Sequence, residues 1–303
     1  MNTAQQQNTF KRDMTSHPQT RREFLKETVS LAMAVAALRA TGGLVAGTPP
    51  GQLPRIKLGK LEVSRLILGS NPFFGFSHGN PQAKPDEMKT WYTPERVMAV
   101  LDQAADHGIT AVWTPCYEQW VKVWNEYRKK DGKLKIWIAQ PDRLPMEREI
   151  EIAVSNGAQA IAIQGCRIDD MVNEDKWEVV RGWLELIKSH RLPAGMATHG
   201  ARTHLEAEKR GLPTDFYHQT LYRPDDYVRE GLEESLATIE KLEKPVVAYK
   251  VLGAGRFLPK DTLPYIFKRL KPKDGLCVGV FPKNRDEIAE NSSLTRQLTL
   301  STS

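Results

Sequence analysis

Residues 93–114 read TPERVMAVLDQAADHGITAVWT, and this stretch decides the fold. Thr93 suits a helix N-cap, and Pro94 sits in the first turn, where its missing N–H costs no hydrogen bond. A helix is therefore expected over 93–107. Gly108 then closes it, because glycine tolerates the left-handed backbone that ends helices. The apolar run 110–114 follows at once as a strand. One amphipathic helix leading straight into one buried strand is half of a repeating α/β unit.

The pattern extends in both directions from there. Eight short apolar runs occur, at 66–69, 110–114, 135–139, 160–163, 194–197, 215–219, 246–250 and 275–280. Helix-like segments lie between them at 146–156, 177–189, 227–242 and 261–270, and Gly157 closes the first of these. Eight strands with helical crossovers predict an α/β chain folded as a (β/α)8 TIM barrel. A doubly wound open sheet is the alternative. It would want a glycine-rich phosphate turn after its first strand, and Gly69-Ser70-Asn71-Pro72 is not one. The polar, proline-containing stretch 79–89 reads as a long loop after the first strand.

The chain has 303 residues and a formal net charge of +6. Six Lys or Arg and three Asp or Glu precede Gly47, so half of that charge sits at the N-terminal end. The remainder mixes both signs, which argues against a nucleic-acid partner. The three cysteines, Cys116, Cys166 and Cys277, show no CxxC pair and no zinc spacing, and free thiols are expected.

Thr20-Arg21-Arg22-Glu23-Phe24-Leu25-Lys26 matches the twin-arginine export consensus. An apolar stretch over 29–38 follows, too short for a membrane span. Basic region, short apolar region and small residues together are the grammar of a cleaved signal. The expected organisation is a twin-arginine signal peptide at 1–46, a linker at 47–54 and the barrel at 55–303. The implied partner is the twin-arginine translocase, and the implied location is periplasmic or otherwise extracytoplasmic. Leu44-Val45-Ala46 is a mediocre cleavage site, so an uncleaved anchor stays open.

Five segments of the barrel resemble the aldo/keto reductase superfamily. Leu58-Gly59-Lys60-Leu61-Glu62-Val63-Ser64-Arg65-Leu66-Ile67-Leu68-Gly69 resembles its opening, with a Thr-Gly turn deleted. Ala104-Ala105-Asp106-His107-Gly108-Ile109-Thr110 resembles A-x-x-x-G-I-N. Gln164-Gly165-Cys166-Arg167-Ile168-Asp169 resembles Q-L-H-x-x-D. Ala248-Tyr249-Lys250-Val251-Leu252-Gly253-Ala254-Gly255 resembles A-Y-S-P-L-G-x-G. The stretch from Val278-Gly279-Val280-Phe281-Pro282-Lys283 to Glu290-Asn291 resembles the cofactor-phosphate segment. The resemblance implies an N-terminal β-hairpin plugging the barrel floor, carbonyl reduction and NADP(H). It places Tyr249 against the nicotinamide, and Lys283, Asn284 and Arg285 on the cofactor phosphate at the start of the last helix.

The family's catalytic set is only partly present. Tyr117 matches the family's acid if its loop has lost one residue. The family's Asp is replaced by Trp113, its Lys by the strand end at Gln140, and its His by Cys166. A lysine beside a tyrosine lowers the phenol's pKa, so Tyr117 without one is a weak acid. The strand ends gather other chemistry at the barrel mouth: Asn71, Tyr117, Glu118, Gln140, Cys166, His199, His218 and Lys250. Catalytic roles are expected for Tyr117, Cys166, His199 and Lys250, and substrate contacts for Asn71, Glu118, Gln140 and His218. Each is also an ordinary residue for a barrel wall. His199, His218 and Cys166, with Glu118, could also hold a divalent metal.

Three functions remain open on the sequence. The first is an exported oxidoreductase acting on a small carbonyl or sugar-like compound with tightly held NADP(H). The second is a non-redox barrel isomerase, lyase or hydrolase, with or without a metal. The third is a ligand-binding barrel that has lost catalysis.

Overall fold

The computed structural model describes residues 52–80, 83–222 and 229–300. The chain divides into two units, Met1–Gly47 and Thr48–Ser303, and the first lies wholly outside the described residues. The twin-arginine segment, the apolar stretch at 29–38 and the candidate cleavage site therefore lie outside them too. So do most of the linker and the start of the helix expected at 227–242.

A two-stranded antiparallel hairpin opens the described chain, β1 (Arg55–Leu58) and β2 (Leu61–Ser64). Gly59 makes its turn at φ +60. Eight parallel strands follow: β3 (Leu66–Gly69), β4 (Ala111–Pro115), β5 (Ile136–Gln140), β6 (Ala160–Ile163), β7 (Ala194–Thr198), β8 (Phe216–Thr220), β9 (Val246–Tyr249) and β10 (Gly275–Gly279). They pair in chain order, and β10 pairs back onto β3, so the sheet closes as a (β/α)8 TIM barrel. Each strand coincides with one of the eight apolar runs. The reason is burial on both faces: helices cover the outside and side chains fill the inside, so no residue alternation survives.

The helices are α1 (Pro85–Trp91), α2 (Pro94–Asp106), α3 (Glu118–Lys129), α4 (Met146–Ser155), α5 (Gly165–Asn173), α6 (Trp177–Ser189), α7 (Thr203–Lys209), α8 (Arg229–Lys241), α9 (Pro259–Phe267) and α10 (Glu287–Leu300). Thr93 caps α2 as expected, its side chain accepting from the Arg96 N–H. Two expectations are corrected. The stretch 79–89 is not all loop, because Pro85 starts α1, with Asp86 and Glu87 in a first turn that favours acids. Lys283, Asn284 and Arg285 do not open the last helix. They form the turn before it, and Asp286 caps α10 by accepting from the Ala289 N–H at 2.9 Å. Among the described residues no helix is long and apolar enough to cross a membrane.

Two apolar cores result. The outer one lies between the strands and the helix ring. The inner one fills the barrel and joins Ile56, Leu58 and Val63 of the hairpin to Ile67, Ala111, Ile138 and Phe216 of the strands. The hairpin seals the N-terminal end: a Cβ on Gly59 would sit 3.1 Å from Asp215 and 3.4 Å from Pro193, the residues that lead into β8 and β7. With the floor closed, any cavity must open at the other end.

Gly275 shows how tight that seal is. A Cβ there would lie 2.7 Å from both the Arg65 carbonyl oxygen and Ile56 Cδ1. The carbonyl cannot yield without moving β3. Gly275→Ala should therefore destabilise the barrel by about 1–3 kcal/mol, seen as a lower urea midpoint at unchanged slope.

Candidate active site

The C-terminal strand ends surround a cavity of about 560 Å³. Its floor includes Trp113 of β4, Tyr249 at the end of β9 and Cys277 of β10. Gly69 and Gly279 lie so close that a Cβ on the first would stand 2.8 Å from the amide nitrogen of the second. Polar residues of the lining include Asn71, Tyr117, Gln140, Asp142, His199 and Lys250. Apolar ones include Phe76, Met88, Val251, Leu252, Phe257 and Leu258.

The most organised group stands where β6 runs into α5. Gln164 caps that helix, accepting from the Arg167 N–H at 3.2 Å. Cys166 and Asp169 are three residues apart and so share a helix face. Asp169 clasps the end of β7. Its Oδ2 lies 2.8 Å from His199 Nδ1, its two oxygens accept the His199 backbone N–H at 3.1 and 3.2 Å, and Thr198 Oγ1 donates to its Oδ1. A carboxylate can only accept, so Nδ1 carries the proton and the neutral ring keeps its lone pair on Nε2. Gly165 leaves room for the ring: a Cβ there would be 2.9 Å from His199 Cε1 and 3.0 Å from the Tyr249 hydroxyl.

The electrostatics follow from these contacts. Burial would lower the pKa of His199, but hydrogen bonds with Asp169 and Cys166 outweigh it and raise the pKa above its ordinary value. The same His199 hydrogen bond lowers the pKa of the Cys166 thiol, against desolvation. Cys166, expected among the catalytic residues, is exposed and does not itself line the cavity.

Tyr117 is placed differently from the expectation. It donates to Asp142 Oδ2 at 2.5 Å, and burial followed by this carboxylate pushes its pKa up. Arg143 lies 5.3 Å over its ring and pairs with the buried Glu149 at 2.6 Å. The residue beside Tyr117 is thus an acid, the reverse of the lysine that would make it a proton donor. Glu118 points to solvent and pairs with Lys122 at 2.6 Å, so it does not line the cavity and is removed from the substrate contacts. His218 is corrected as well. It is fully buried beneath the floor, stacked on Trp113 at 4.0 Å between ring centres. Burial, and then His204, lower its pKa to about 3.

Asn71, Gln140 and Lys250 do reach the cavity. Lys250 Nζ lies 3.1 Å from His78 Nδ1, and Asn71 Nδ2 lies 2.8 Å from His78 Nε2. Burial, then Lys250, His199 and Arg256, lower the His78 pKa to about 4, so the ring is neutral near pH 7. Both His78 and Lys250 adopt left-handed backbone, at φ 46 and 56, which is uncommon for residues with side chains and typical of functional sites.

Of the residues expected on a cofactor, Tyr249 and Arg285 line the cavity. The Tyr249 hydroxyl donates to the Thr198 carbonyl at 3.0 Å. Lys283 pairs with Glu87, and Arg285 lies 3.2 Å from Glu290 and 3.6 Å from Glu287. Asn284 stays in the turn outside the cavity lining. Among the described residues no three His, Cys, Asp or Glu side chains are grouped so as to hold a metal ion. His199 lines the cavity, but Cys166, His218 and Glu118 do not.

Three residues were missed as site members. Asp169 was visible only as part of a family segment, although Cys166 and Asp169 at i, i+3 would have paired them had α5 been foreseen. Asp142 and His78 lie in loops with no periodicity to place them.

Fold and site define the class, a hairpin-sealed (β/α)8 barrel with a polar, histidine-centred cavity at its mouth. No protein-family model matches the chain, and no curated protein matches it. Among solved structures it is similar to a thiamine phosphate pyrophosphorylase from Pyrococcus furiosus, at 17% identity over 78% of this chain and 95% of that one, with a TM-score of 0.46.

The Asp169–His199 pair has a pH signature. A histidine whose pKa is raised on folding contributes stability that is complete below its unfolded value near 6.5 and is lost as pH rises through its folded value. Asp169→Asn removes the carboxylate. It should destabilise the protein more at pH 6 than at pH 9, and lower the His199 titration midpoint followed by NMR.

Proposed function

We propose that the protein is a non-redox barrel enzyme that performs acid–base chemistry on a small polar molecule held at the mouth. One observation carries this: Asp169 holds both the ring and the backbone of His199. A histidine fixed by a carboxylate at Nδ1 presents Nε2 in one direction, so it can take and return a proton at a defined point. Gln140 and Asn71 offer hydrogen bonds to a polar ligand, and Lys250 brings positive charge to the same cavity. In this proposal the twin-arginine leader delivers the folded barrel to an extracytoplasmic compartment. Free nicotinamide cofactor would be scarce there, which favours chemistry that needs none.

Carbonyl reduction with a carried NADP(H) is the second reading, favoured by the position of Tyr249 in the cavity. It asks Lys283 and Arg285 to leave their carboxylate partners for a phosphate, and Tyr117 to act as an acid while bound to Asp142.

The two readings separate in one experiment. The full chain is assayed on small esters, amides and hydroxy-carbonyl compounds without nucleotide, and is titrated with NADPH by fluorescence. Nucleotide-independent turnover is expected, falling about 100-fold or more in His199→Gln. Saturable NADPH binding, with turnover that requires it and survives His199→Gln, would replace the proposal with the reductase.

A further inference from the structure

We infer that the molecule bound at the mouth is a small hydroxylated carboxylic acid, such as a sugar acid, whose carboxylate sits against Lys250, His78 and Asn71. This deepens the acid–base reading above and rests on it. Geometry, backbone conformation and charge at one corner of the cavity support it.

Two loops build that corner. One follows β3 and carries Asn71 and His78, and the other follows β9 and carries Lys250 and Ala254. All four residues line the cavity. Three side chains form a row: Asn71 Nδ2 lies 2.8 Å from His78 Nε2, and Lys250 Nζ lies 3.1 and 3.3 Å from the two nitrogens of that ring. Further contacts tie the loops together. Arg256 donates to the His78 carbonyl at 3.0 Å, and Asn80 donates to the Ala254 carbonyl at 3.0 Å. The row is thus ordered before a ligand arrives, which spares binding that cost.

The backbone singles out the same corner. Among the described residues, six with side chains adopt left-handed backbone. Asp131, Asp175 and Arg191 lie just past the ends of α3, α5 and α6, where that conformation is ordinary. The other three are His78, Lys250 and Ala254. Unusual backbone gathered at a cavity points to binding.

The charge there is positive. Lys250, Arg256 and protonated His199 all act on the His78 ring as cations. The carboxylates of the lining have donors of their own. Asp142 accepts from Tyr117, and Glu287 accepts the Phe281 N–H at 2.7 Å and lies 3.6 Å from Arg285. A neutral ring set among cations favours an anion beside it. Arg256 faces backbone carbonyls and is outside the lining, so Lys250 brings the charge to the cavity itself. One ammonium matches the single charge of a carboxylate better than the double charge of a phosphate. Gln140 and Ser77 also line the cavity, and each can donate and accept, as a ligand hydroxyl requires. His199, the base, lines it too.

The test is calorimetric titration of the full chain with D-galacturonate and D-gluconate, with the neutral D-galactose and sorbitol, and with inorganic phosphate. Each acid is expected to bind about tenfold tighter than its neutral counterpart or more. Lys250→Met should abolish that preference and Lys250→Arg should keep it, with both variants checked for native circular dichroism. His199→Gln should still bind the acids. Equal affinity for acid and neutral sugar, no binding of either acid, a preference that survives Lys250→Met, or phosphate binding tighter than both acids would overturn the inference. Nucleotide-independent turnover that depends on His199, without any preference for acids, would leave the acid–base reading standing alone. A Lys250-dependent preference for acids, with no such turnover, would keep the carboxylate seat and remove that reading.

Discussion

A ring of eight parallel strands has no free edge, and each strand must fill an interior as well as bury an outer face. Much of this protein follows from that constraint. The hairpin β1–β2 supplies Ile56, Leu58 and Val63 to an interior that the strands do not fill at its N-terminal end. Glycine stands at 69 and 275, where neighbouring backbone leaves no space for a Cβ, and at 279, where the Pro72 ring leaves none. Trp113, stacked on His218, and Tyr249 close the interior from above. What remains open is the C-terminal mouth, so Asn71, Gln140, His199 and Lys250, at or just after four strand ends, are delivered to one cavity.

Two carboxylates at that mouth have opposite consequences. Asp142 accepts from Tyr117 and stabilises the neutral phenol, which withdraws a potential acid from use. Asp169 accepts from His199 and stabilises the protonated ring, which strengthens a base. The difference lies in the partner's charge states. A phenol becomes an anion on losing its proton, and a nearby carboxylate repels that anion. An imidazole becomes a cation on gaining one, and the carboxylate attracts it. Gly165 and the α5 cap fix the second arrangement in place.

The barrel was readable because its strands are buried on both sides. Continuous apolar runs such as 160–163 and 246–250 survive any uncertainty about register. The sealed hairpin was also visible, through Leu58-Gly59-Lys60-Leu61 and the family it resembles. The short helices were not. In α5 only Gly165 and Ile168 are buried, and in α1 nothing is, so each shows only a short apolar side, Ile168 with the half-buried Met171 and Val172 in one and the half-buried Met88 and Trp91 in the other. The start of α1 still carried its own mark, Pro85 followed by two acids. The partners of the site residues were hidden for a different reason. Asp142 meets Tyr117 across 25 residues, and Asp169 meets His199 across 30.

By itself, then, the sequence determined the fold class, the strand positions and some of the polar residues that reach the mouth, Asn71, Gln140, His199 and Lys250 among them. These depend on local hydrophobic pattern, which every residue carries with it. Tertiary structure decided which of those residues share a proton. It set Asp169 on His199, Asp142 on Tyr117 and Glu87 on Lys283, and it buried His218 under Trp113. Electrostatic partnership depends on distances of about 3 Å between residues far apart in the chain, and only the closed barrel fixes those distances.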